Sequence, residues 1–176
     1  MTSFIINAHA NRSVAPTWKN KPEADSCPFC LIYQHEVTGF VVYENDLVIA
    51  ILDILPLRPG HTLVIPKVHC ARVSELSPEY SRALGEAVTK VSLGLTKALE
   101  NTALNVVCNQ EYAQAVHHVH YHIIPAPQFD VPVSNVKGKG KSPVTKQDMH
   151  YAEFEARTVL EDEEGEEMRR RIVAKM

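Results

Sequence analysis

The stretch LSPEYSRALGEAVTKVSLGLTKALENT, Leu76 to Thr102, carries apolar residues at Leu84, Val88, Val91, Leu95 and Leu99. Spacings of three and four put them on one side of a helix, a stripe that must face a core. Ser77 suits the N-cap and Pro78 the first helical position. This is the longest helix the chain predicts. What surrounds it has a different period. Phe40–Tyr43, the run NDLVIAILDI ending past Asp53, HTLVIP up to Pro66, and LNVVC from Leu104 all read as strands. A last strand, VHHVHYHII, starts at Val116. Strands gather before and after one helix instead of alternating with helices. The class expected is therefore α+β, with an antiparallel sheet of five strands and one long helix.

Working outward, the ends change character. Residues 1–25 are polar and irregular, with Pro16 and Pro22, and read as a flexible lead-in without the charged start and apolar core of a secretory signal. The folded domain is expected over 26–136. Residues 137–176 read as a basic linker, KGKGKSP, followed by a charged helix pairing Glu166 with Arg170 and Glu167 with Arg171. Gly165 weakens that helix. Its flanking apolar residues Tyr151, Phe154, Val159 and Leu160 are uneven, so a solvated face is expected, with docking on the domain or on a partner as the alternative. Removal of everything after Lys141 is expected to leave the domain folded and active, since every candidate site residue lies before Pro127.

At 176 residues with 45% hydrophobic content the chain can bury one core. A net charge of -3 argues neither for nor against a nucleic-acid partner, and none is expected. No apolar run is long enough to span a bilayer. A cytoplasmic protein is expected, with the nucleus as a second compartment. Of four cysteines, Cys27 and Cys30 form a Cys-x-x-Cys, open to metal-binding, redox or incidental readings.

The chemistry concentrates in AVHHVHYHIIPAP, Ala115 to Pro127, which holds four of the nine histidines. On a strand, His118, His120 and His122 share one face, about 7 Å apart at each step. Val119, Tyr121 and Ile123 take the other. A three-histidine metal site is disfavoured on one flat strand, because a small ion needs ligands from several directions. A reactive face fits better: imidazole titrates near neutrality and serves as nucleophile or acid–base group.

HVHYHII resembles the His-x-His-x-His-apolar-apolar signature of the histidine triad family. IAILDILPLRPGHTLVIPKVH, from Ile49, is similar to that family's ribose-binding segment, and CPFC to the metal pair of its zinc-containing members. The resemblance runs in order from Ser26 to Pro127. It implies a purine nucleotide hydrolase acting at the α-phosphate, with His120 as nucleophile, the His118 carbonyl fixing its tautomer, His122 as donor to phosphoryl oxygen or leaving group, and His61 as support behind the triad. It implies Asp53 for the ribose hydroxyls, an apolar base slot of Phe29, Ile32, Ile51 and Ile54, and phosphate contacts from Asn109, Gln114 and the backbone at Ala115. The family often has a hydroxyl where Ala115 stands; its loss removes a charge-assisted hydrogen bond worth roughly 1.5–3 kcal/mol. A structural Zn²⁺ on Cys27, Cys30, His69 and His118 is implied, as is a homodimer. The substrate implied first is AMP linked to an amine. A diadenosine polyphosphate is the near alternative, and a weakly active nucleotide-binding regulator the more distant one.

Overall fold

The computed structural model describes residues 26–127 and 157–176. The lead-in 1–25, the linker, the 136/137 boundary, Tyr151 and Phe154 lie outside the described residues. The elements in chain order are α1 (Pro28–Tyr33), β1 (Val41–Glu44), β2 (Val48–Leu52), β3 (Thr62–Pro66), a 3₁₀ turn (Val73–Glu75), α2 (Pro78–Leu99), β4 (Leu104–Cys108), β5 (Tyr121–Pro125) and α3 (Asp162–Val173). The five strands form one antiparallel sheet in the order β1-β2-β3-β5-β4, the α+β architecture expected. Among the described residues no helix is long and apolar enough to cross a membrane.

Period-two alternation divides the sheet into two packed faces. Val48, Ala50, Leu52, Val64, Val119 and Ile123 turn to the helix side, where they meet Leu84, Ala87, Val91, Leu95 and Ala98 of α2. Ile49, Ile51, Leu63 and Ile65 turn to the opposite side and meet Cys27, Phe29 and Cys30 at and within α1. All five residues of β2 and all five of β3 are buried because both faces are covered. α2 begins at Pro78 as expected, but Ser77 makes no side-chain capping bond. It stops at Glu100, which takes a left-handed φ of 52°.

Two expectations need correction. The last strand enters the ladder at Tyr121, not at Val116. Its partner β3 ends at Pro66, which has no N–H to offer. The segment ahead is held instead by Val119 N–H to the Cys70 carbonyl at 2.7 Å. Alternation continues through it, so the three histidines still share a face.

The second correction concerns the C-terminal helix, which is docked rather than solvated. Ile172 is 0% exposed within the helix-side core, and Leu160 and Met168 pack against it. α3 lies on α2 and β1. A Cβ at Gly165 would fall inside contact distance of three ring carbons of Phe40. That glycine weakens the helix but permits the approach. Of the apolar tail residues that the structure describes, Val159 is exposed as expected and Leu160 is not. Glu166 binds Arg169 through two bonds of 2.7 Å and lies 3.7 Å from Arg170. Arg171 does not pair with Glu167: it donates to the Ala98 carbonyl at 2.9 Å, near the end of α2 where carbonyls lack helical partners.

Candidate active site and metal centre

The face of the sheet that α2 leaves uncovered carries a row of imidazoles. His69 and His118 stack edge-on with centroids 5.1 Å apart, and His120 and His122 follow at 4.8 Å. His61 closes the row 5.2 Å from His122. Phe29 of α1 sits edge-on to both His118 (5.8 Å) and His120 (5.2 Å).

Backbone carbonyls decide the tautomers, since a carbonyl can only accept. His120 donates from Nδ1 to the His118 carbonyl at 2.7 Å, which leaves Nε2 with the lone pair. His118 donates from Nε2 to the Pro66 carbonyl at 2.8 Å, which leaves its lone pair on Nδ1. Leu57 N–H donates to His61 Nδ1 at 3.2 Å, so the ring proton of His61 sits on Nε2, 3.0 Å from His122 Nδ1. His122 then carries its proton on Nε2. The Asp53 carboxylate lies 3.3 Å from His61 Nδ1, a charge beside a neutral ring, while its other oxygen accepts from Leu55 N–H at 2.9 Å.

Burial keeps these rings neutral, because the imidazolium loses its hydration. It lowers His61 to about 4, with Asp53 pulling upward and Arg157 adding to the lowering. His118 falls to about 4, through burial against the raising effect of the Pro66 carbonyl. His122 falls to about 3, through burial and then the neighbouring His120 and His61. His120 is lowered by burial, opposed by its bond to the His118 carbonyl. These four neutral rings, His61, His118, His120 and His122, hold lone pairs ready for attack and N–H groups ready to donate.

At the far end of the row, Cys27, Cys30, His69 and His118 bring one ligand atom each within 4.8 Å of one another. Cys27 Sγ is 3.4 Å and Cys30 Sγ 3.6 Å from His118 Nδ1, and Cys30 Sγ is 3.2 Å from His69 Nδ1. A tetrahedral zinc with Zn–S near 2.3 Å and Zn–N near 2.0 Å separates its sulfur and nitrogen ligands by about 3.5 Å. The four side chains therefore fit that ion, and the His118 tautomer points the correct nitrogen at it. Cys70 turns away, toward the Arg72 carbonyl at 3.2 Å.

The remaining expected residues divide. Ile51 joins Phe29 in the cluster on this face, and Ile32 packs against it. Ile54 is 64% exposed beside Asp53 and outside that cluster. Asn109 is half-buried and Ala115 exposed in the loop before the triad. Gln114 is corrected: its amide is committed inward and is not offered to a ligand. It donates to the carbonyls of Ala71 (3.0 Å), Val116 (2.9 Å) and His118 (3.2 Å), and accepts from Glu111 N–H at 2.9 Å. Backbone carbonyls buried by the loop need a donor, and Gln114 supplies it. Glu111 and Ala113 both take left-handed φ, 59° and 58°, without being glycine. Such strain persists only where surroundings hold it. Here Arg72 binds Glu111, and Gln110 accepts from Ser74 N–H at 3.0 Å. Sequence reasoning missed Arg72 and Arg58. Arg58 donates to the Pro125 carbonyl at 3.1 Å, and Leu160 N–H to the Ile54 carbonyl at 2.9 Å. The Arg in LPLRPG was a legible signal for Arg58.

With this geometry in view, comparison with known proteins is informative. The HIT domain model matches residues 34–129. An uncharacterized HIT-like protein of Saccharolobus solfataricus is 34% identical over 77% of this chain and 96% of its own. Adenosine 5'-monophosphoramidase hnt1 of Schizosaccharomyces pombe is 42% identical over 58% of this chain and 75% of its own. The crystal structure of a hypothetical histidine triad nucleotide-binding protein from Sulfolobus tokodaii covers 85% of this chain and 91% of its own, with 32% identity and a TM-score of 0.68.

Proposed function

Because the chain belongs to the histidine triad (HIT) family, its domain model spanning more than half of the sequence, we propose that it is a purine nucleotide hydrolase that releases AMP from an AMP–amine conjugate. The observation that carries this reading is the 2.7 Å bond from His120 Nδ1 to the His118 carbonyl, which leaves Nε2 as a nucleophilic lone pair. His120 Nε2 attacks the α-phosphorus as the P–N bond breaks. His122 Nε2–H donates a hydrogen bond to a phosphoryl oxygen, and the departing amine leaves with a proton taken from solvent. Water then attacks the nucleotidyl-His120, releases a proton to solvent, and AMP leaves with His120 restored. Two displacements replace one difficult one. Asp53 accepts from the ribose hydroxyls, Phe29, Ile32 and Ile51 flank the base with Ile54 at the rim, and loop backbone N–H groups near Ala115 meet the phosphate. Asn109 stands at the start of that loop.

Zinc on Cys27, Cys30, His69 and His118 belongs to the same reading. The ion supplies structural cross-linking when bound. The chain's contribution is to tie α1, and with it Phe29, to the segment leading into the catalytic strand. His118 serves both ends, since its ring faces the thiols and its carbonyl orients His120.

The test is His120→Ala, assayed with adenosine 5′-phosphoramidate for turnover and AMP for binding. AMP binding should persist while turnover falls by about a thousandfold or more. Turnover within about tenfold of the unaltered protein would refute the assignment. A clear preference for diadenosine tetraphosphate over the phosphoramidate would move the substrate to the dinucleotide alternative.

A further inference from the structure

The peptide unit joining His118 to Val119 lies ahead of the regular ladder, which β5 enters only at Tyr121. Its N–H donates to the Cys70 carbonyl at 2.7 Å. Its carbonyl accepts twice, from His120 Nδ1 at 2.7 Å and from Gln114 Nε2 at 3.2 Å. A carbonyl oxygen has two lone pairs, so these two donors fill it and fix its direction. The same Gln114 amide donates to the carbonyl of Ala71, next to Cys70 in the chain, at 3.0 Å. Gln114 therefore ties the carbonyl that orients His120 to the segment holding the other side of the same peptide unit.

Gln114 is itself held. It is 8% exposed, and its Oε1 accepts from Glu111 N–H at 2.9 Å. Glu111 and Ala113, which lead into it, take left-handed φ of 59° and 58° without being glycine, and that strain needs an outside hold. Arg72 supplies one, through its Nε bond to the Glu111 carboxylate. The contacts run unbroken from Arg72 through Glu111 and Gln114 to the His118 carbonyl and His120 Nδ1. The last of these bonds keeps the His120 proton on Nδ1. If the carbonyl swings away, the proton can pass to Nε2, and the lone pair that attacks is lost.

We propose that Gln114 is a positioning residue for His120: it fills the second lone pair of the His118 carbonyl and so holds that carbonyl toward Nδ1, while the Arg72–Glu111 pair keeps Gln114 in place. This rests on the nucleotide reading above and deepens it. Gln114 acts on the reaction only through the His118 carbonyl. Its loss therefore lowers turnover while the nucleotide keeps its own contacts with the site.

The experiment compares the full unaltered chain with Gln114→Met, Arg72→Met and Arg72→Lys. Turnover of adenosine 5′-phosphoramidate is measured beside AMP affinity. Long-range proton–nitrogen spectra of histidine-labelled protein show which ring nitrogen carries each proton, with His120 identified by the signals lost in His120→Ala. The unaltered chain should show the His120 proton on Nδ1. Gln114→Met keeps the side-chain length without its donors, and should show that proton partly on Nε2. Its kcat should fall about ten- to a hundredfold with AMP affinity within about threefold, the pattern of a misplaced reacting group. Arg72→Met should lower kcat about two- to fivefold, the worth of one exposed ion pair, and Arg72→Lys should restore it. In a folded Gln114→Met, either an unchanged His120 spectrum or an unchanged kcat overturns the proposal, as does a loss confined to AMP affinity. If Gln114→Met fails to fold by circular dichroism, the Arg72 variants decide, and an unchanged spectrum and kcat in Arg72→Met overturn it. An unaltered chain that hydrolyses no phosphoramidate refutes the hydrolase reading, and the imidazole spectra then decide the role of Gln114 alone.

Discussion

Ile172→Ala tests whether the C-terminal helix belongs to the folded domain in solution. Ile172 is 0% exposed, and its Cγ2 lies over Gly94 of α2, 3.7 Å from where a Cβ on that glycine would stand. The substitution removes three buried carbons. At about 0.8 kcal/mol for each buried methylene, the transfer loss is ~2.4 kcal/mol. Incomplete collapse of the cavity adds to this, for a total of about 3 kcal/mol, inside the range measured for such truncations. Alanine's better helix propensity returns only a few tenths. Urea unfolding followed by circular dichroism should therefore show a lower midpoint at unchanged slope, and the melting temperature should fall by about 6–12 °C for a chain of this size. Val173→Ala is the control. Val173 is 43% exposed on the same helix, and its replacement should cost less than about 0.5 kcal/mol. A loss at Ile172 as small as that at Val173 would mean that α3 does not pack on α2 and β1. The expectation of a removable tail would then stand.

Metal and proton linkage give two further tests. Carefully purified protein should carry about one zinc per chain, and Cys27→Ser with Cys30→Ser should lose it together with at least about 3 kcal/mol of stability, since binding energy of a structural ion is folding energy. Metal analysis that finds no zinc, or an unchanged melting temperature, would count against the centre. The second test concerns pH. Burial holds His61 near 4 in the folded chain, whereas the unfolded chain protonates at about 6.5. Between those values the unfolded state binds more protons. Stability is therefore full above about pH 6.5 and declines as pH falls toward about 4. His61 alone accounts for about 3 kcal/mol of that decline. His61→Gln should flatten the profile by about this amount in urea titrations at pH 7 and 4.5, and an identical slope in both proteins would refute the buried neutral ring.

Much of this molecule is determined by short-range pattern. The apolar stripe of α2 and the period-two runs of β2 and β3 specify one helix against one sheet, because a helix period and a strand period cannot be exchanged. The same alternation places His118, His120 and His122 on one face even where the regular ladder has ended. The candidate metal ligands His69 and His118 came from the family resemblance and not from local pattern, and the fold brings them within 4.8 Å of Cys27 and Cys30. Tertiary structure alone decided the rest. Gln114 looks like a phosphate donor until the carbonyls of Ala71, Val116 and His118 claim its amide. Arg171 looks like a partner for Glu167 until the end of α2 offers a carbonyl. Gly165, Met168 and Ile172 lie at i, i+3 and i+7, a stripe that reads as weak because a glycine and a methionine occupy two of its three positions. Phe40, distant in sequence, turns the glycine into a contact, and Gly94 leaves room for Ile172. Local propensity measures what a segment prefers in isolation. Docking depends on the surface it meets, and no window of sequence around α3 contains that surface.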